Sequence, residues 1–271
     1  MPRRDSSPYS TKWTTAVVTG ASSGIGEQFC RLLAAGGVDL VVVARDLPRL
    51  RELADELSGR HDVSVEVLDA DLSAPVSRAA LERRLRSTAV PVDLLVNNAG
   101  FGTGGRFDEL PVAREDQQIQ LNVVALMRLT SVASAQMVAR GRGNIVNVSS
   151  IAALQPTPGS ATYGATKAFV SSFSSSVHHE LRGTGVAVTE VVAGFTRTSF
   201  HDRPDVSAPG RLPGAAWLSA DQVARDALQA ALADKERVVP GSNYRALLAA
   251  RAAVPSGPAR WLSSRLRRVV S

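Results

Sequence analysis

Cysteine is almost absent from this chain, with Cys30 standing alone among 271 residues. No internal disulfide can form, so nothing in the sequence calls for an oxidising compartment. Long apolar runs are missing as well: stretches such as Leu40 to Ala44 fall far short of the roughly 18 residues that cross a bilayer. The sequence does not read as an integral membrane protein. The N-terminal MPRRDSSPYSTKW has basic residues with no apolar segment behind them, which is not the pattern of a secretory signal. A cytoplasmic location is the expectation. The four histidines, His61, His178, His179 and His201, stand at no metal-ligand spacing with cysteine or with a carboxylate helix motif. No catalytic metal is expected.

The excess of positive charge is confined to one region. Residues 241–271 hold Arg245, Arg251, Arg260, Arg265, Arg267 and Arg268 with no Asp or Glu, and so carry the whole net charge of +6. The remaining 25 basic residues balance the 25 acidic ones. A nucleic-acid partner is therefore not expected, because groove readers present a basic face on a folded element. Trp261, Leu262, Leu266, Val269 and Val270 lie among the tail arginines. Packing of this amphipathic segment on its own domain or on a partner subunit is favoured over peripheral contact with a membrane surface.

What is present is an alternation. Short Val/Leu/Ile-rich runs, TAVVTG, VDLVVVAR, VSVEVLDA, VDLLVNNAG, GNIVNVSS, VAVTEVVAG and RVVPG, are separated by longer stretches with apolar residues at spacings of three and four, such as Leu47 to Leu57 and Leu81 to Leu85. Seven strands and intervening helices imply an α/β fold, a doubly wound parallel sheet covered on both faces. In such sheets ligands bind outside the carboxyl ends of the strands. The expected layout is an N-terminal arm over 1–13 and one dinucleotide-binding catalytic domain over 14–240. A substrate loop at about 195–216 interrupts that domain, and a basic helical tail occupies 241–271.

The first strand runs into Thr19-Gly20-Ala21-Ser22-Ser23-Gly24-Ile25-Gly26, which opens a helical pattern. Glycines there let backbone amides at a helix N-terminus approach a pyrophosphate, where the helix dipole favours negative charge. A glycine turn alone also serves as a plain connector, and it is the placement in the first strand-helix unit that favours the phosphate reading. Arg45 follows the second strand, where a guanidinium can fork onto the 2′-phosphate of NADP. Asp46 beside it lies about 20 residues past the glycine turn, where an acid that selects NAD is often found. NADP(H) is favoured over NAD(H). Tyr163 and Lys167 are four apart in a helical segment, hence on one face. An adjacent ammonium favours a phenolate, and such a pair can pass a proton to or from a carbonyl oxygen.

On these residues the sequence resembles the classical short-chain dehydrogenases/reductases, over about residues 14 to 240. The match also takes in Asp71-Leu72 after the third strand, Asn97-Asn98-Ala99-Gly100 after the fourth, Asn122 in the next helix, and Ser150 thirteen residues before Tyr163. The resemblance implies that Tyr163 is the general acid in reduction and base in oxidation, with Lys167 lowering its pKa and bonding the nicotinamide ribose. It implies that Ser150 holds the substrate oxygen and that Asn122 places a water linking Lys167 to solvent. Asp71 and Leu72 would meet the adenine, and Asn98, Ala99 and Gly100 would line the cofactor cleft.

Two departures stand out. Ala193-Gly194 replaces the family's usual Pro-Gly, followed by Phe195-Thr196-Arg197-Thr198. Gly194, Thr196 and Thr198 would still face the cofactor, with a looser loop. The long tail after the seventh strand argues for a homodimer through the helices carrying Asn122 and Tyr163 over a tetramer built on that strand. The implied activity is interconversion of a ketone or aldehyde with an alcohol. The substrate is expected to be small and mainly apolar, held by Phe101, Ile151, Leu154, Gln155, Pro156 and Phe195. The alternative is a catalytically silent dinucleotide-binding regulator, which typically loses the tyrosine or lysine; both are present here.

Overall fold

Runs of β-branched residues buried on both faces pair as parallel strands, since crossover helices must cover each side of the sheet they build. The computed structural model describes residues 7–198 and 213–246. In chain order these form α1 (Pro8–Lys12), β1 (Thr15–Thr19), α2 (Gly24–Ala35), β2 (Asp39–Ala44), α3 (Leu47–Arg60), β3 (Val65–Asp69), α4 (Pro75–Leu85) and β4 (Leu94–Asn97). There follow α5 (Val112–Ile119), a π-helical turn (Gln120–Ala125), α6 (Leu126–Arg140), β5 (Gly143–Ser150), α7 (Ala161–Glu180) and β6 (Val186–Ala193). The two-residue strands β7 (Thr196–Arg197) and β8 (Leu218–Ser219) precede α8 (Ala220–Leu232) and β9 (Arg237–Val238).

Seven strands form one sheet in the order β3-β2-β1-β4-β5-β6-β9, every pairing parallel. The seven strands and the doubly wound class expected from the sequence are those observed. Strand residues alternate between two cores, because successive side chains point to opposite faces. Ala16, Val18, Leu40 and Val42 join Phe29 and Leu33 of α2 and Ala224 and Leu228 of α8. Val17, Val41, Val43 and Leu95 join Leu81 and Leu85 of α4 and Leu129 and Met137 of α6. The continuous helical stretch Val112–Arg140 is long and apolar enough to cross a membrane by length and composition. In this fold it lies against the sheet, with Leu126, Leu129, Ala133 and Met137 buried.

The segment set apart as an arm is anchored. Ser7 caps α1 by accepting from the Tyr9 amide, and Trp13 is 1% exposed within the first core. The Trp13 indole donates to Asn144 Oδ1 at 2.9 Å, and Asn144 Nδ2 donates to the Ala231 carbonyl and to Asp234. Lys12 Nζ closes the set on Asp234 at 2.8 Å. The reach of this small network from residue 12 to residue 234 explains why periodicity could not see it. The 195–216 loop, expected to be irregular, has its two ends paired: Thr196 sits opposite Leu218 and Arg197 opposite Ser219. Residues 199–212 of that loop, and the tail beyond 246 with Trp261, Leu262, Leu266, Val269 and Val270, lie outside the described residues.

Trp13→Ala removes a fully buried ring and strands the Asn144 acceptor, so it should destabilise the protein by about 3–5 kcal/mol. Urea unfolding checks this; a loss below about 1 kcal/mol would mean that the segment is not part of the core.

Candidate active site

The sheet order reverses between β1 and β4, and the crossovers on either side leave in opposite directions, which opens a crevice at the carboxyl ends of these strands. A cavity of about 1380 Å³ lies there, larger than the several hundred cubic ångströms that enclose one drug-sized ligand.

Its floor is the glycine turn. Gly20 and Gly24 have φ of +67° and +59°, left-handed values that favour glycine. A Cβ on Gly20 would come within 2.8 Å of Asn98 Nδ2, and one on Gly24 within 3.0 Å of the Thr198 side chain. Gly20, Ser22, Ser23, Gly24 and Ile25 all line the cavity. Gly26, expected at the cofactor, is not among the lining residues. It is buried, and a Cβ there would collide with the Gly20 carbonyl oxygen. Its role is to let α2 start against the end of β1. Asn98 lines the cavity but spends its amide on the turn, donating to the Thr19 carbonyl at 2.9 Å and to that of Gly20 at 3.3 Å. This cradle of bare backbone and forward-pointing helix start fits a pyrophosphate.

At the far end, Arg45, Asp71 and Leu72 line the same cavity. Arg45 lies 3.9 Å from the Asp71 carboxylate, whose other oxygen accepts from the amide and hydroxyl of Ser73. Asp46 caps α3 by accepting from the Arg49 amide at 3.1 Å. A cap explains an acid at this point without a ribose. Arg49, in the first turn of α3, also lines the cavity; sequence reading missed it.

Ala99, Gly100, Ser150, Tyr163 and Lys167 form the wall opposite. Tyr163 and Lys167 are one turn apart on α7, and the Lys167 Nζ is 5.9 Å from the phenol ring centre. Ser150 ends β5, its hydroxyl accepting from the Ala152 amide at 3.1 Å. Lys167 is 6% exposed and donates to the Val148 carbonyl at 2.8 Å. Burial lowers its pKa to about 8. Burial also raises the Tyr163 pKa, against a hydrogen bond with Ser150 that lowers it. The expected direct depression of the phenol by the lysine is not what this arrangement produces. The ammonium is aimed at Val148 and is itself desolvated, so the group that favours phenolate here is Ser150.

Asn122 does not line the cavity. It sits in the π-helical turn, a local widening that often marks functional positions, and is 1% exposed. Its carboxamide embraces the backbone of Phe101, accepting from the amide at 3.1 Å and donating to the carbonyl at 2.8 Å, with a further bond to Thr166. A Cβ on Gly100 would come within 3.0 Å of Asn122 Oδ1 and 3.7 Å of Lys167 Nζ, so Asn122 holds the strip of chain that faces the lysine.

Beyond this wall the cavity is lined by Phe101, Ile151, Ala152, Gln155, Thr157 and Phe195. Leu154 and Pro156 are not among the lining residues, because the 3₁₀ turn Ile151–Leu154 carries the chain past the mouth. Gly194, Thr196 and Thr198 close the side next to the glycine turn. At the opposite end of α7, tertiary folding gathers ligand atoms of His178, His179 and Glu236 within 4.8 Å, a grouping invisible in sequence because Glu236 comes from the turn before β9. These groups have protein partners already: Ser175 donates to Glu236 at 2.6 Å, His178 Nδ1 meets the Val188 carbonyl at 2.8 Å, and His179 pairs with Glu236 at 3.5 Å.

Residues 14–205 match the sequence profile of the short chain dehydrogenase family. An oxidoreductase from Myxococcus xanthus is 39% identical over 188 residues, 69% of this chain and 74% of its own length. Among solved structures, a short-chain dehydrogenase from Sphingobium yanoikuyae in complex with NADPH has a TM-score of 0.79 at 35% identity, covering 90% of this chain and 97% of its own. The alcohol dehydrogenase of Comamonas testosteroni described as specific for bulky-bulky ketones has a TM-score of 0.76 at 31% identity, covering 90% and 96%. With a profile that spans most of the chain and a fold and cleft to match, this protein belongs to the short-chain dehydrogenase/reductase family of oxidoreductases.

Proposed function

We propose that the protein interconverts a mainly apolar ketone or aldehyde and the corresponding alcohol with NADP(H), Tyr163 serving as general acid in reduction and general base in oxidation. The observation that carries this reading is the placing of Ser150, Tyr163 and Lys167 on one wall of a cleft whose floor is bare glycine backbone. The nicotinamide dinucleotide supplies hydride to, or removes it from, the substrate carbon. The chain supplies the rest. Backbone amides of the 20–25 turn would hold the pyrophosphate, and the Lys167 ammonium would bond a ribose hydroxyl. The Ser150 hydroxyl, already bonded to Tyr163, holds the substrate oxygen so that the phenolic proton is delivered along one line. Phe101, Ile151 and Phe195 exclude water from the reacting atoms and favour a substrate with an apolar body.

The preference for the phosphorylated cofactor is supported by two guanidinium side chains, Arg45 and Arg49, lining the end of the cleft beyond β2, and by the use of Asp46 as a helix cap. The NADPH complex of the Sphingobium yanoikuyae relative agrees with it. The apolar lining agrees with the bulky ketones named for the Comamonas testosteroni enzyme. A silent regulator has no need of a buried lysine beside a tyrosine, a costly arrangement that is retained here.

Tyr163→Phe should lower turnover by about 10²- to 10⁴-fold, the usual range for a positioned proton donor. NADPH affinity by fluorescence titration should stay within about twofold; retained turnover with a ketone panel would remove the assignment. Arg45→Asp should cut kcat/KM for NADPH about 10- to 100-fold through loss of a charge-assisted pair, with little effect on NADH. An unchanged ratio of the two would count against the phosphate reading.

The pH dependence follows from Lys167. Its pKa of about 8 lies below the ordinary lysine value, so the ammonium is present below that pH and is lost as pH rises through it. Tyr163, raised by burial, stays protonated over the same range. Reductive kcat/KM should therefore be level below about pH 8 and fall by about tenfold per unit above it. A flat profile to about pH 9.5 would show that the charge on Lys167 is not needed.

A further inference from the structure

The side of the cleft next to the glycine turn is made by Gly194, Phe195, Thr196 and Thr198, the first residues of the loop expected to cover the substrate. Alanine at 193 gives this stretch none of the stiffness that a proline would. It is nonetheless tied down, and by a residue that sequence analysis assigned to the tail. Tyr244, six residues past β9, is 5% exposed. Its hydroxyl accepts from the Phe195 amide at 3.0 Å and donates to the Ala216 carbonyl at 2.6 Å.

Those two groups stand at the two feet of the loop. Between the same feet run the Leu218 amide to Phe195 carbonyl bond at 2.8 Å, the β7–β8 pairing, and the contact of the Phe195 and Trp217 rings at 5.9 Å. The Tyr244 hydroxyl adds a hydrogen-bonded bridge to these, donating to one foot while accepting from the other. Burial raises its pKa, which keeps the donated proton in place at neutral pH.

The ring is committed as firmly as the hydroxyl. A Cβ on Gly194 would collide with Tyr244 Cε2 and Cζ. Gly194 has no left-handed φ to demand glycine. The missing side chain is explained by the tyrosine lying flat against the backbone there. Two residues fifty apart in sequence are thus fitted to each other at the edge of the cleft.

We propose that Tyr244 is a positioning residue for the substrate: its phenol staples the two feet of the 195–216 loop, and so sets the wall that Gly194 and Phe195 present to the cleft. The staple makes the chain past β9 part of the substrate site, although Tyr244 is not itself among the cavity-lining residues. The inference rests on the reading of the cleft as a carbonyl reductase site.

Tyr244→Phe in the full-length chain keeps the ring and deletes both bonds. Amide hydrogen exchange in 194–198 and 213–219 should rise about 5- to 10-fold, the scale of one or two hydrogen bonds. Substrate KM should rise about fivefold with kcat within about twofold, since Tyr163 and Lys167 are untouched. Exchange and KM both equal to wild type would overturn the proposal, as would a lowered melting temperature without change in either, which is the mark of a merely packed tyrosine. Gly194→Ala should produce the same loosening by displacing the ring, and should add little in a Tyr244→Ala background; full additivity of the two would also overturn it. Should the wild-type protein reduce no ketone or aldehyde with NADPH, the functional reading fails. The exchange measurements and the double-mutant cycle still decide the staple.

Discussion

The reversal of strand order between β1 and β4 is the constraint on which the site depends. Two crossovers leaving that point toward opposite faces cannot both cover the strand ends, so a crevice is left whatever the side chains. The sequence then stitches the crevice to a fixed width. Thr19 Oγ1 donates to the Val96 carbonyl at 3.1 Å and accepts from the amides of Asn98 and Ala99 at 3.0 Å. Asn98 returns its own amide to the Thr19 carbonyl. The ends of the two strands are thereby one unit, and the glycine turn that follows is held with its backbone facing the cavity.

The catalytic wall shows the electrostatic consequence of building chemistry inside a fold. Desolvation drives a phenol and an ammonium toward their neutral forms, so Tyr163 moves up while Lys167 moves down. Their ordinary values nearly coincide, and burial separates them, so that the phenol keeps its proton where the ammonium begins to lose its own. The Ser150 hydroxyl is the fixed dipole that works in the other direction, which gives a residue read as a substrate ligand a second duty. Asn122 contributes from behind the wall, by fixing the Phe101 backbone that passes in front of the lysine.

Both ends of the described chain are held by aromatic residues with one polar tip. Trp13 reaches Asn144 beneath the sheet, and Tyr244 reaches the feet of the substrate loop at its carboxyl edge. An aromatic ring supplies buried area and its single hydrogen-bonding atom supplies direction. The segments that periodicity analysis set aside as arm and tail therefore help to position the domain they flank.

Much of this protein was legible from the order of its residues. Alternating apolar runs determined seven parallel strands, because period and length leave few other ways to bury them. The glycine turn, Arg45, Tyr163 and Lys167 declared themselves through spacing within single strand-turn-helix units, where local geometry is set by neighbours, while Ser150 was legible only through the family resemblance. Contacts between elements far apart in sequence were decided by the tertiary structure alone. It tied Trp13 to Asn144, turned Lys167 toward Val148, and laid Tyr244 against Gly194. Each of these depends on which surfaces the folded sheet brings within a few ångströms, and on how much water it removes from them, neither of which is carried by local sequence pattern.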